Sequence, residues 1–371
     1  MSTPLAPAPA PVSAPPPERG TLRRFAASCV STPANIALTL AIALLLALLL
    51  PDLVEWTLVK ARWSGTSPDL CRDPDGACWV FVSARIGQLV YGDYPPPERW
   101  RVDLVLVITI ASAIGMMLRP VRRRATVALA LLWLGPALSW VLMLGAVFGL
   151  PVVATTLWGG LALTAIVAAT TLAGAIPLGL ALALARRSQL PLLRWLAVAA
   201  IELGRGVPLV AVLFVAMAVL PLLLPPGMEL SPLLRAVFAF VVFNAAGMAE
   251  VFRGGLQAVP AIQIEGARAL GFTRPQILGL IELPQALVIA MPGLVNTAIA
   301  VIKETTVVLI IGLLDFLAQI QAGLADPQWI VGDQVRDAAY FFAGLVFWVL
   351  CFGLSRLSAR LEPAAARGPR R

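Results

Sequence analysis

Between positions 152 and 185 the chain carries no charged side chain. That stretch is too long for one membrane helix and too short for two, since a bilayer core of about 30 Å takes roughly 20 apolar residues. The rest of the sequence has the same character: 59% of the 371 residues are hydrophobic, 13% are charged, and mean hydropathy is +0.87. Too few polar groups remain to cover a soluble globule. Lipid is the expected solvent, and with no water there to satisfy backbone N–H and C=O groups, helices are the expected structure.

Eight apolar segments are expected to span: 36–50, 102–118, 125–148, the outer part of 152–185, 207–224, 233–249, 284–302 and 338–355. The fold class is therefore an all-α integral membrane protein with about eight transmembrane helices. Within the uncharged stretch, TTLWGGL reads as an interfacial segment anchored by Trp158, and the span proper starts near Ala162. Residues 1–24 are Pro/Ala-rich without apolar periodicity, which predicts a disordered tail. Arg23 and Arg24 before a short apolar run fit a signal peptide too, but the many later spans favour an uncleaved first helix.

Orientation follows the excess of arginine in short cytoplasmic loops. Arg119, Arg122, Arg123 and Arg124, then Arg186 and Arg187, then Arg356, Arg360, Arg367, Arg370 and Arg371 place two connections and the C-terminus inside. An even span count puts the N-terminus inside as well. The loop 51–101 holds Lys60, Arg62, Arg72, Arg85, Arg99 and Arg101, but its seven acids and its length weaken the rule, and it is kept outside. In that loop Cys71 and Cys78 bracket a Pro-Asp-Gly turn, so a disulfide and two free thiols are both open. Cys29 and Cys351 read as small apolar fillers. The net charge of +8 suits inner loops meeting anionic lipid rather than nucleic acid.

No histidine occurs anywhere, which removes imidazole bases, His-ligated metals and Ser-His-Asp chemistry. The only two lysines, Lys60 and Lys303, do not follow a phosphate-loop glycine, so the chain is not its own ATPase. No catalytic residue, metal site or cofactor is expected.

The informative connection is AEVFRGGLQAVPAIQIEGARALGFTRPQILGLIELPQA, residues 249–286. Pro260 suits a helix start and Gly271 a left-handed cap, predicting a short helix over 261–270. Thr273 with Gln276 is a capping-box pattern opening a second helix, which Pro284 is expected to stop. Small residues Gly266, Ala267 and Ala269 would let another surface approach, and Glu265 offers it a carboxylate. An amphipathic interfacial hairpin is the bland reading of the same residues.

Glu265, Gly266 and Ala267, then Gly271, then Ile281, Leu283 and Pro284 resemble the EAA loop of ABC-importer permeases, with Gly266 in place of the usual middle alanine. WGGLALT at Trp158, ELGRGVPLVAVLF from Glu202, AEVFRGGLQAVP from Ala249 and LPQALVIAMPGLVNTAIAVIKETTVVLIIGLLDF from Leu283 extend the likeness to the polar amino acid permeases. The first three spans look like the N-terminal extension of the general L-amino acid branch. The resemblance implies a disordered cytoplasmic tail at 1–35, a three-helix extension at 36–150, a five-helix type I importer core at 151–361 with its coupling loop at 250–284, and a tail at 362–371. It implies a permease subunit in the bacterial inner membrane for polar or general L-amino acids. Its partners would be an ABC ATPase dimer, a second permease subunit expected to be a different chain, and an extracytoplasmic amino acid-binding protein. Glu265, Gly266, Ala267, Gly271 and Pro284 would couple to the ATPase.

Within the membrane, in the expected span 284–302 and at its end, Asn296, Lys303 and Glu304 stand out, each charge costing about 2.5–3.5 kcal/mol at a bilayer centre. They are candidate substrate-path residues, with Arg205 beside the break signalled by Gly206 and Pro208. Lys303 and Glu304 would suit the two charges of an amino acid, or satisfy each other or a partner subunit. The alternative function is an ion-coupled secondary transporter that uses this pair without an ATPase. Glu250 and Arg253 read as an ordinary surface pair.

Overall fold

The computed structural model describes residues 26–65, 67–72, 75–117, 121–147 and 149–359. The tails at 1–24 and 362–371, Arg119, Arg360, Arg367, Arg370 and Arg371, and the side chains of Arg122, Arg123 and Arg124 lie outside it. The chain divides into two compact units, Met1–Ala61 with Asp75–Ala77, and Arg62–Pro74 with Cys78–Arg371.

The first unit is built on α1, Pro33–Val54, in which no residue is buried. Thr32 caps it by accepting the Asn35 N–H at 3.2 Å, and Pro33 supplies a pre-set φ in the first turn. A π turn, Glu55–Val59, ends it with a Lys60–Glu55 ion pair at 3.0 Å.

The second unit holds α2 (Val80–Tyr91), α3 (Arg99–Met117), α4 (Val121–Leu144), α5 (Gly160–Arg186), α6 (Pro191–Gly206), α7 (Leu209–Ala218) and α8 (Pro232–Gln257). It continues through α9 (Ala261–Ala269), α10 (Arg274–Ile277), α11 (Leu283–Glu304), α12 (Phe316–Leu324) and α13 (Asp333–Ala359). Its described residues form isolated bridges but no sheet. Among the described residues five helices are long and apolar enough to cross a membrane, or six when α6 and α7 count as one span bent by 110°. The other two expected spans are α4, whose apolar stretch Ala130–Leu144 is shorter, and α3, which carries Arg101 and Asp103 in its first turns. Expected span 207–224 is not one rod: Pro208 has no N–H to continue the ladder from α6, and the apolar helix beyond it is only 10 residues long.

Small residues bring α5 and α8 together. A Cβ on Gly179 would lie 2.5 Å from Met248 Cβ, and one on Gly174 2.7 Å from Val241. Such positions let backbones approach where lipid offers no hydrophobic drive between helices. Around this pair lie two clusters: Trp158, Leu163, Leu213 and Phe240 near the start of α5, and Ala183, Met248, Phe252 and Ala286 near its end. Trp158 is no interfacial anchor. It is buried, its ring 5.0 Å from Trp140, because the chain turns at Gly159–Gly160 and carries the indole under α4.

A third cluster joins Cys71, Cys78, Phe81, Phe316 and Trp329. The structure bonds Cys71 to Cys78 with Cα atoms 5.6 Å apart, inside the usual range for a disulfide. Gln334 of α13 donates to the Cys71 carbonyl, and Arg85 of α2 pairs with Asp326. Asp315 caps α12, accepting the Ala318 N–H at 3.0 Å, and burial pushes its carboxyl up to about 6. At the head of α3, Arg101 is fully buried, donating to the Pro151 carbonyl at 2.9 Å and pairing with Glu98 at 2.6 Å. Tyr94 nearby donates to the Met143 carbonyl at 2.8 Å.

Candidate functional site

The connection between α8 and α11 is a helix–turn–helix. Pro260 precedes α9, Gly271 closes it at φ +83°, and the Phe272 N–H returns to the Ala267 carbonyl at 3.1 Å. Thr273 and Gln276 then form the capping box of α10. Pro284 does not stop the second helix. A π turn, Leu278–Glu282, runs α10 into α11, and its wider ring accommodates the proline within the first turn of α11.

Glu265, Gly266, Gly271 and Pro284 are all exposed, and nothing lies within 4 Å of a Cβ placed on Gly266 or Gly271. Ala267 is buried against the rest of the chain, so it packs the loop instead of lining its outer face. Ile262 on α9 and its C-cap residue Leu270 are 77% and 79% exposed, an apolar surface to one side of Glu265. Gln285 donates to Gln263 at 2.7 Å and ties α9 to α11. Glu250 and Arg253 are more than a surface pair: Glu250 takes Arg253 at 2.7 Å and Arg186 of α5 at 2.6 Å.

The polar intramembrane residues separate into two groups. Arg205, Asn296 and Glu304 line one cavity of about 460 Å³, between the end of α6, the middle of α8 and α11, with Gly204, Phe243, Asn244, Gly247, Thr297 and Ala300. Lys303 is exposed and takes no part in that wall. Consecutive positions on a helix point about 100° apart, and α11 runs unbroken through Pro292, so Lys303 and Glu304 face different ways. Glu304 instead accepts from the buried Asn244 side chain at 3.1 Å. Sequence reading passed over Asn244, although a lone amide in FAFVVFNAAGMA is the same signal that singled out Asn296. Among the described residues no group of His, Cys, Asp or Glu could hold a metal ion.

The sequence pattern of the family described as binding-protein-dependent transport system inner membrane component matches residues 175–367. Over 332 residues the chain is 44% identical to the inner membrane amino-acid ABC transporter permease protein YhdY of Escherichia coli K12, covering 88% of each chain. The chain belongs to this family. The permease is also 32% identical to the glutamate/glutamine/aspartate/asparagine transport system permease protein BztC of Rhodobacter capsulatus, over 99% of the permease and 98% of that chain. A crystal structure of an amino acid ABC transporter with histidines is 27% identical over 55% of the permease and 91% of that chain, with a TM-score of 0.49. The protein is thus an inner-membrane amino-acid ABC transporter permease, a transport subunit and not itself an enzyme. Family membership implies an ATPase and a binding protein as partners. The ion-coupled alternative gains no support, since its Lys303–Glu304 site is not assembled.

Proposed function

We propose that the permease imports polar or general L-amino acids, forming the translocation path with a second permease subunit and receiving its drive from an ABC ATPase dimer through α9. The observation that carries this reading is the exposed surface of α9 and its cap: Glu265 beside Ile262 and Leu270, with glycines at 266 and 271 that admit close approach. A carboxylate on an apolar, small-residue face suits a groove that holds one basic group. The cavity of Arg205, Asn244, Asn296 and Glu304 supplies the polar path, offering both charges that an amino acid needs. An extracytoplasmic binding protein delivers substrate on the face that carries Cys71–Cys78, and both termini lie inside.

The test is reconstitution of the purified complex in vesicles. Uptake of glutamate, glutamine or arginine is expected only with ATP and binding protein present together. Uptake insensitive to ATP would remove the coupling role.

Orientation has its own measurement. In a variant without Cys29 and Cys351, a membrane-impermeant thiol reagent should label Cys71 and Cys78 in intact cells only after reduction. Labelling without reductant removes the bridge. Labelling after reduction in inside-out but not in right-side-out vesicles overturns the orientation.

A further inference from the structure

α5 ends in two consecutive arginines, Arg186 as its last residue and Arg187 as its C-cap. The helix dipole favours cations at this end, and neighbouring positions diverge by about 100°, so the two reach different elements. Arg186 pairs with Glu250 of α8 at 2.6 Å and lies 3.7 Å from Glu202 of α6. Arg187 pairs with Glu282 at 2.7 Å. Glu282 closes the π turn, and its side chain is only 10% exposed. A π turn holds one residue more than the α ladder, which makes it the compliant point in the otherwise continuous path from α10 into α11.

We propose that Arg187–Glu282 is the linkage by which displacement of α9 is passed to the end of α5, with Arg186–Glu250 holding that end to α8. The proposal rests on the coupling-helix reading above. The loop is tied directly to α11 by Gln263–Gln285, a neutral and exposed contact. The charged contact on Glu282 is the stronger tie, because charge-assisted hydrogen bonds are about twice as strong as neutral ones. α8 is joined to α9 directly through residues 258–260; without the pair the π turn would deform as α9 moved, and α5 would follow only through its packing on α8. With it, loop, α5 and α8 travel as one body. Arg187 and Glu282 are positioning residues and touch no substrate.

Glu282→Gln tests this in the complete reconstituted complex, measuring uptake and ATP hydrolysis per complex recovered. The change is isosteric, and the freed Arg187, already 42% exposed, can turn to water. Recovery of the ATPase should be unchanged while substrate moved per ATP falls about tenfold, within the usual range of coupling between sites. The exchanged pair, Arg187→Glu with Glu282→Arg, should restore most of the ratio. An unchanged ratio in Glu282→Gln overturns the proposal, and so does lower recovery at unchanged ratio, which marks a purely structural pair. Glu265→Arg in parallel separates this from the parent reading: if that variant still binds the ATPase, the docking assignment fails whatever the Glu282 result.

Discussion

On the proposed docking of α9, Glu265→Arg should leave the permease in the membrane and strip it of its ATPase. Reversing a charge at the centre of a close-packed contact costs about 2–5 kcal/mol, a loss of roughly 30-fold to several thousandfold in affinity, which is enough to abolish co-purification. Because Glu265 is exposed and takes no part in packing the chain, membrane insertion and the yield of permease should be unaffected. Gly271→Trp should give the same loss for two reasons, bulk on the docking face and an L side chain forced to φ +83°. Gly271→Asn separates them, since asparagine tolerates the left-handed region and adds little bulk. It should retain the ATPase. Normal binding and transport in both Glu265→Arg and Gly271→Trp would show that α9 does not dock.

Glu304→Gln should lower uptake at limiting substrate by about 10- to 150-fold and shift selectivity among acidic, neutral and basic amino acids, with subunit recovery unchanged. The range corresponds to about 1.5–3 kcal/mol for a hydrogen bond to a charged group. Packing should hold, because glutamine keeps the size of the side chain and can still accept from Asn244. Lys303→Met discriminates between site and ion pair. In the structure the two side chains do not meet, so adding Lys303→Met to Glu304→Gln should rescue nothing. Restored uptake in the double variant would make them a helix-positioning pair and remove Glu304 from the substrate path.

Features encoded by neighbours in sequence were legible. Pro260 and Gly271 bounded α9, Thr273 and Gln276 formed their capping box, and Gly206 with Pro208 signalled the break that separates α6 from α7. What failed depended on distant partners. Nothing around Trp158 discloses that Trp140 will lie on it, and nothing around Glu250 discloses that Arg186 will join Arg253 there. Ala267 read as part of a small-residue surface, yet the facing of one alanine on a nine-residue helix depends on what the loop folds against. Lys303 and Glu304 misled in the opposite way, being adjacent in sequence and divergent in space. Pro284 shows a limit of local rules: a proline stops a helix only where the ladder needs its N–H, and the π turn before it alters that need.

The sealed cation at the head of α3 bears on how the protein is made. Arg101 is closed over by the carbonyl of a residue 50 positions later. At about 5–20 residues per second, Pro151 leaves the ribosome some 3–10 s after Arg101. Through that interval the guanidinium has Glu98 as its near partner and must stay with water or lipid headgroups, since an arginine is not carried alone into hydrocarbon. Arg101 therefore meets Pro151 only once the chain beyond α4 has been made, as Tyr94 meets Met143 only once α4 itself has. Burial of this charge is a late step in the formation of the region.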